Sequence, residues 1–181
     1  MTRENKKPVT RPNERWAMDF MHDAFFDGRK LRVLTVIDVF TRECLALEVR
    51  RSFRGEHVAH VLSDLVARHG TPKTIQCDQG TEFTSMAMDH WAWWNKVGLM
   101  FSRPGKPGDN ARSEAFNGLV RRECLTLHYF WDLKEAEGVL NSWKEEYNKT
   151  RPHGSLGQVT LANYRIDWNR KNDPERLAKQ G

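Results

Sequence analysis

The sequence predicts an α/β fold: a five-stranded mixed sheet carrying helices on both faces. Three observations lead there. The first fifty residues hold three short apolar or β-branched runs joined by tight links, as in an antiparallel meander. From residue 55 onward, helical periodicity alternates with brief apolar runs, the order that parallel crossovers need. Most of these switches are marked by glycine or proline.

Residues 1–14 are polar, carry two prolines and read as a flexible N-terminal arm. RWAMDFMH (15–22) and KLRVLTVID (30–38) are the first two strands, and Asp27-Gly28 between them is a hairpin signal. CLALEVR (44–50) follows a short Thr41-Arg42 link as the third strand. Over 55–70, Val58, Val61, Leu62, Leu65 and Val66 recur at helical spacing until Gly70 stops them. TIQCD (74–78) is a brief fourth strand after the Pro72 break. A helix over 84–98 ends at Gly98, with Trp91 and Trp94 read as core and Trp93 pointing elsewhere. LMFSRP (99–104) is the fifth strand and GKPGD (105–109) a flexible loop. Asp109 or Asn110 could cap a helix over 111–127, and another spans 132–149, closed by Pro152. The core therefore covers 15–150, and 151–181 is a polar C-terminal extension without assigned elements.

A chain of 181 residues suits one domain with a real core. Its net charge of +5 favours an anionic partner such as nucleic acid. Cys44, Cys77 and Cys124 are scattered, with no Cys-x-x-Cys pair, which argues against zinc or a disulfide framework and fits a reducing cytosol. No apolar stretch reaches membrane length, and the start lacks the apolar segment of a signal peptide. The expected setting is cytoplasmic, without a membrane partner.

Three acids stand out. Asp19 lies mid-strand between Met18 and Phe20, where an ionised carboxylate is costly unless paired, hydrogen-bonded or metal-bound. Asp78 ends the fourth strand, and ligands gather at strand ends in such sheets. Glu114 shares a polar helix face with Asn110, Asn117 and Arg121, opposite an apolar face of Ala111, Ala115, Leu119 and Val120. Each alone has a plain reading: a salt bridge to a buried arginine, an Asx turn, a solvated helix residue. Together, if the first and fourth strands are neighbours and the helix crosses their ends, the three carboxylates converge.

Thirty-five residues separate Asp78 from Glu114, with a strand aspartate upstream. That spacing, with VIDVFTRECLALEV (36–49), CDQGTEFTS (77–85), PGDNARSEAFNGLVRREC (107–124) and YNKTRPHGSLG (147–157), resembles the DDE-type transposases of bacterial insertion sequences, in the group assembled from two reading frames, and retroviral integrase cores. The resemblance spans about residues 12–165 and implies a ribonuclease-H-like fold. It implies that Asp19, Asp78 and Glu114 are catalytic and hold two Mg²⁺ ions, with Mn²⁺ as a substitute. The implied reaction is cleavage at element ends and strand transfer into target DNA. Double-stranded DNA would lie along Arg103, Lys106, Asn110, Arg112, Asn117, Arg121 and Arg122. The resemblance further implies a dimer or higher multimer on DNA, and a helix-turn-helix domain upstream or on a separate reading-frame product. Relatives often carry histidine at Cys77 and arginine or asparagine at Gln79. A ribonuclease-H-like nuclease without joining activity, or a non-catalytic DNA-binding or assembly module, are the alternatives.

Overall fold

The computed structural model describes residues 8–103 and 105–173. Residues 1–7 of the expected arm, 174–181 of the expected extension and residue 104 of the expected fifth strand lie outside the described residues. The strands are β1 (Arg15–Ala24), β2 (Lys30–Asp38), β3 (Cys44–Arg50), β4 (Thr74–Cys77) and β5 (Gly98–Phe101). The helices are α1 (Gly55–His69), α2 (Met86–Asn95), α3 (Ala111–Glu123), α4 (Leu133–Lys149) and α5 (Leu161–Lys171). Sheet order is β3-β2-β1-β4-β5. The first three strands pair antiparallel, while β4 runs parallel to both β1 and β5.

Local chemistry explains the punctuation. Gly28 adopts a positive φ of 82° and closes the first hairpin, its amide donating to the Phe25 carbonyl at 2.9 Å. The Ser85 hydroxyl caps α2 by accepting from the Met88 amide, and Asp132 caps α4 by accepting from the Glu135 amide. At the end of β2, Asp38 accepts from the amides of Phe40 and Thr41, fixing the turn toward β3.

Alternation along β1 divides the core in two. Trp16, Met18 and Phe20 join α1 and α2 on one face of the sheet, through Val58, Leu62, Met88 and Trp91. Ala17 and Met21 join α3 and α4 on the other, through Phe116, Val120, Ala136 and Leu140. Asp19 has the parity of Ala17 and Met21, so a strand with a period of two turns it toward α3.

Two helix readings need correction. On α2, Trp91 is buried but Trp94 is 76% exposed, because Lys96 turns left-handed (φ 56°) immediately after the helix and leaves its last turn in solvent. On α3 the buried face is Ser113, Phe116 and Val120, while Ala111 and Ala115 are exposed. This helix also stops at Glu123, followed by a 3-10 turn over Leu125–Leu127.

The ends of the described chain are tied to the sheet. The Asn13 amide donates to Asp38 at 2.7 Å, and the Glu14 carbonyl accepts from the Thr74 amide at 3.2 Å. In α5, Leu161 is fully buried, and Arg165 bonds Glu43 at 2.7 Å and the Asn13 side chain at 2.9 Å. Among the described residues no helix is long and apolar enough to cross a membrane.

Candidate active site

The site grows from Asp19, paired across the sheet with Thr35 of β2. One carboxylate oxygen accepts from the Phe20 amide at 2.8 Å, and the other accepts from the Asn117 side-chain amide at 2.9 Å. Asn117 is itself held, its carbonyl oxygen accepting from the Thr35 hydroxyl at 2.9 Å. Two hydrogen bonds, one from β1 itself and one from α3, thus fix this carboxylate. Burial first, then the charges of Asp78 and Glu114, raise the Asp19 carboxyl to about 6 against the opposing hydrogen bonds from Phe20 and Asn117.

Asp78 comes from the sheet itself. The parallel register pairs Arg15 with Thr74 and Ala17 with Gln76; continued by two residues, it sets Asp78 opposite Asp19. Adjacent strands lie about 4.8 Å apart. The exposed Asp78 carboxylate accepts from the Gly80 amide at 2.9 Å, which makes it an Asx turn as well. Glu114 occupies the first turn of α3, exposed, and no hydrogen bond or ion pair holds its carboxylate among the described residues. Asp19 therefore faces two acids whose charges reach it. Among the described residues, no three histidine, cysteine or acidic side chains stand close enough to ring one metal ion in this arrangement. The three carboxylates share a region and an electric field, with Asp78 and Glu114 on its solvent side.

Residues 9–107 match the model of an integrase core domain, and residues 95–160 match a second model of the same description. The chain belongs to the integrase core domain family. An uncharacterized protein of insertion element IS407 from Burkholderia multivorans is 42% identical over 84% of this chain and 55% of its own length. An uncharacterized protein of insertion element IS476 from Xanthomonas euvesicatoria is 37% identical over 92% of this chain and 51% of its own length. A putative transposase of insertion element IS150 from Escherichia coli is 29% identical over 87% and 56%. The chain spans about half the length of these curated relatives. The HTLV-2 integrase catalytic core domain, solved in complex with magnesium, overlays with a TM-score of 0.70 at 15% identity, covering 86% of this chain and 97% of that one. The resemblance to insertion-sequence transposases and the ribonuclease-H-like mixed sheet read from the sequence are both borne out.

The integrase core distributes the other named residues unevenly. Asn117 points at Asp19, and Asn110 is buried at the start of α3 with its side-chain oxygen unpartnered. Arg103 bonds Asp109 at 2.9 Å, and Arg121 donates to the His22 carbonyl at 2.8 Å. Lys106, Arg112 and Arg122 are exposed. Cys77 is buried in β4, its thiol pushed up to about 12 by burial and then by Asp78 and Asp19. Gln79 reaches away to the Ser102 carbonyl at 3.4 Å. In YNKTRPHGSLG, Arg151 bonds Glu123 and Glu146 while the Tyr147 hydroxyl reaches the Arg42 carbonyl, which fastens α4 to α3 and the sheet.

Sequence reasoning missed Thr35, Arg32 and Glu82. Arg32 pairs with Glu82 and lies 4.1 Å over the Phe20 ring, which stacks on Phe83 at 4.9 Å. Burial opposes ionisation of Glu82, but Arg32, together with hydrogen bonds from the Glu82 backbone and Thr81, holds the carboxyl below its ordinary range. Glu82, the second acid in CDQGTEF, was the available signal.

Proposed function

We propose that this chain is the catalytic core of a DNA transposase, cutting phosphodiester bonds at insertion-sequence ends and joining the freed 3′-hydroxyl to target DNA. The observation that carries this reading is the placement of Asp19: a half-buried carboxylate held by Asn117, with Asp78 and Glu114 close enough to raise its proton affinity. Such a carboxylate set is a stressed arrangement by itself, and its donors are the hard oxygens that Mg²⁺ and Mn²⁺ prefer. Asp19, Asp78 and Glu114 would hold two such ions, which neutralise the attacked phosphate and activate a water or 3′-hydroxyl.

The chain's own residues supply orientation. Asn117 and the Phe20 amide hold the Asp19 carboxylate, the Gly80 amide holds Asp78, and the exposed Glu114 is free to turn toward them. The attacking oxygen forms a bond to phosphorus as the opposite phosphorus–oxygen bond breaks, and no protein side chain becomes attached. Lys106, Arg112 and Arg122 offer charge to the DNA backbone beside Glu114. Joining two DNA ends calls for at least two copies on the DNA, and end recognition for a helix-turn-helix domain upstream or on a separate product.

The test is cleavage and joining of element-end DNA into a plasmid, titrated with Mg²⁺ or Mn²⁺. The parent chain joins strands and Asp78→Asn does not, with its unfolding curve preserved. Full activity in the variant overturns the assignment, and cutting without joining identifies a ribonuclease-H-like nuclease instead.

A further inference from the structure

We propose that Arg32 and Glu82 are positioning residues, an ion pair on the back of the sheet that fixes the loop carrying Asp78. The role of Asp78 itself rests on the function proposed above. Beyond β4 the chain leaves the sheet, and loop 78–85 folds on itself: the amides of Phe83 and Thr84 both donate to the Gly80 carbonyl at 3.0 Å. These bonds give the loop its shape but do not attach it to the sheet. Attachment comes from Glu82, which reaches past β1 to Arg32 on β2, and from the Phe83 ring stacked on Phe20. Phe20 follows Asp19 and donates its amide to that carboxylate, so the same contact holds both aspartates from behind.

Gly80 lies between the two acids of the loop. A Cβ on Gly80 would sit 3.0 Å from Asp78 Oδ1 and 3.4 Å from Glu82 Oε2. Both carboxylates therefore flank Gly80, whose amide donates to Asp78 at 2.9 Å. Arg32 and Glu82 are only 19% and 15% exposed. Stability gives such a desolvated pair little reason to persist, since apolar replacements of similar volume usually serve a fold as well. Geometry gives it one. Neither side chain faces the reacting atoms: Arg32 and Phe20 share the parity that turns them to the α1–α2 face, away from Asp19.

The experiment compares the parent chain, Glu82→Gln, and the double variant Arg32→Met with Glu82→Met. In the metal-free protein, amide exchange over residues 79–84 rises about tenfold in both variants, while exchange in α1 and β1 stays unchanged. In DNA cleavage, the Mn²⁺ concentration giving half the maximal rate rises about tenfold or more, with a smaller fall in the rate at saturating metal. The double variant unfolds at the parent's denaturant midpoint yet keeps the higher metal requirement, which a purely structural pair would not produce. Parent-like loop exchange and metal requirement in Glu82→Gln overturn the inference, as does their recovery in the double variant. If the parent chain is itself inert with either metal, the proposed function fails, and the metal-free exchange still decides the clamp.

Discussion

Replacing Asp19 by asparagine should make the protein more stable at mild alkaline pH while removing its activity. Burial first, then the neighbouring acids, raise this carboxyl from 3.8 to about 6. Each unit of pKa corresponds to about 1.36 kcal/mol, so the full displacement is about 3 kcal/mol; residual solvent access reduces this to roughly 1–2 kcal/mol. The folded state binds the proton more tightly than the unfolded chain, so this burden is absent below 3.8, grows as pH rises to about 6, and is constant above. The amide can keep the local bonds. If the Asn117 side chain flips, its oxygen accepts from the new amide and its nitrogen donates to the Thr35 hydroxyl, which turns to the Asp19 carbonyl it already approaches at 3.2 Å. Urea unfolding without metal, followed by tryptophan fluorescence, should favour Asp19→Asn by roughly 1–2 kcal/mol near pH ~8, with the gap narrowing toward pH ~4. The comparison must be between the two proteins. Burial, then Arg165, Arg68 and Lys144, lower His69 to about 4, so acidification from about 6.5 costs both proteins stability through that residue. An asparagine variant less stable than the parent at high pH, or a gap independent of pH, refutes the account of Asp19 as a stressed carboxylate.

Arg165→Leu strands Glu43 beneath α5 and should cost about 3 kcal/mol in denaturant unfolding, since both side chains are more than four-fifths buried. Gly55→Ala drives a Cβ to 1.8 Å from the Ser85 hydroxyl that caps α2, and should cost about 1–3 kcal/mol in the same assay. Trp91→Ala should lose about 3–5 kcal/mol, whereas Trp94→Ser should stay within about 0.5 kcal/mol of the parent by thermal unfolding.

The strands were legible because local signals and tertiary demands agree there: the Asp27-Gly28 turn, the β-branched run of β2 and the Pro72 break all act within a few residues. α5 left no such mark. It buries one residue fully, Leu161, and its main anchor to the sheet is an ion pair between residues 122 positions apart. Trp94 misled because large apolar side chains three apart suggest one buried face, and only the turn at Lys96 shows that the helix ends there. On α3, the small polar Ser113 hides in the core while two alanines face water, a reversal that composition cannot announce. The acids were conspicuous in sequence, each at an unusual place in its element. What positions them was not: Asn117 could be read as a DNA contact, and Glu82 as one more loop acid, until the packing brought them to Asp19 and Arg32.

Asn117 meets Asp19 across 98 residues of chain. During translation both aspartates leave the ribosome well before α3 does, and until α3 docks, Asp19 has neither its amide partner nor the helix that bears Glu114. A prematurely terminated product ending before α3 would carry two of the acids and no assembled site. Under the function proposed here, competence to cut DNA is withheld from a nascent chain until α3 has been made and docked.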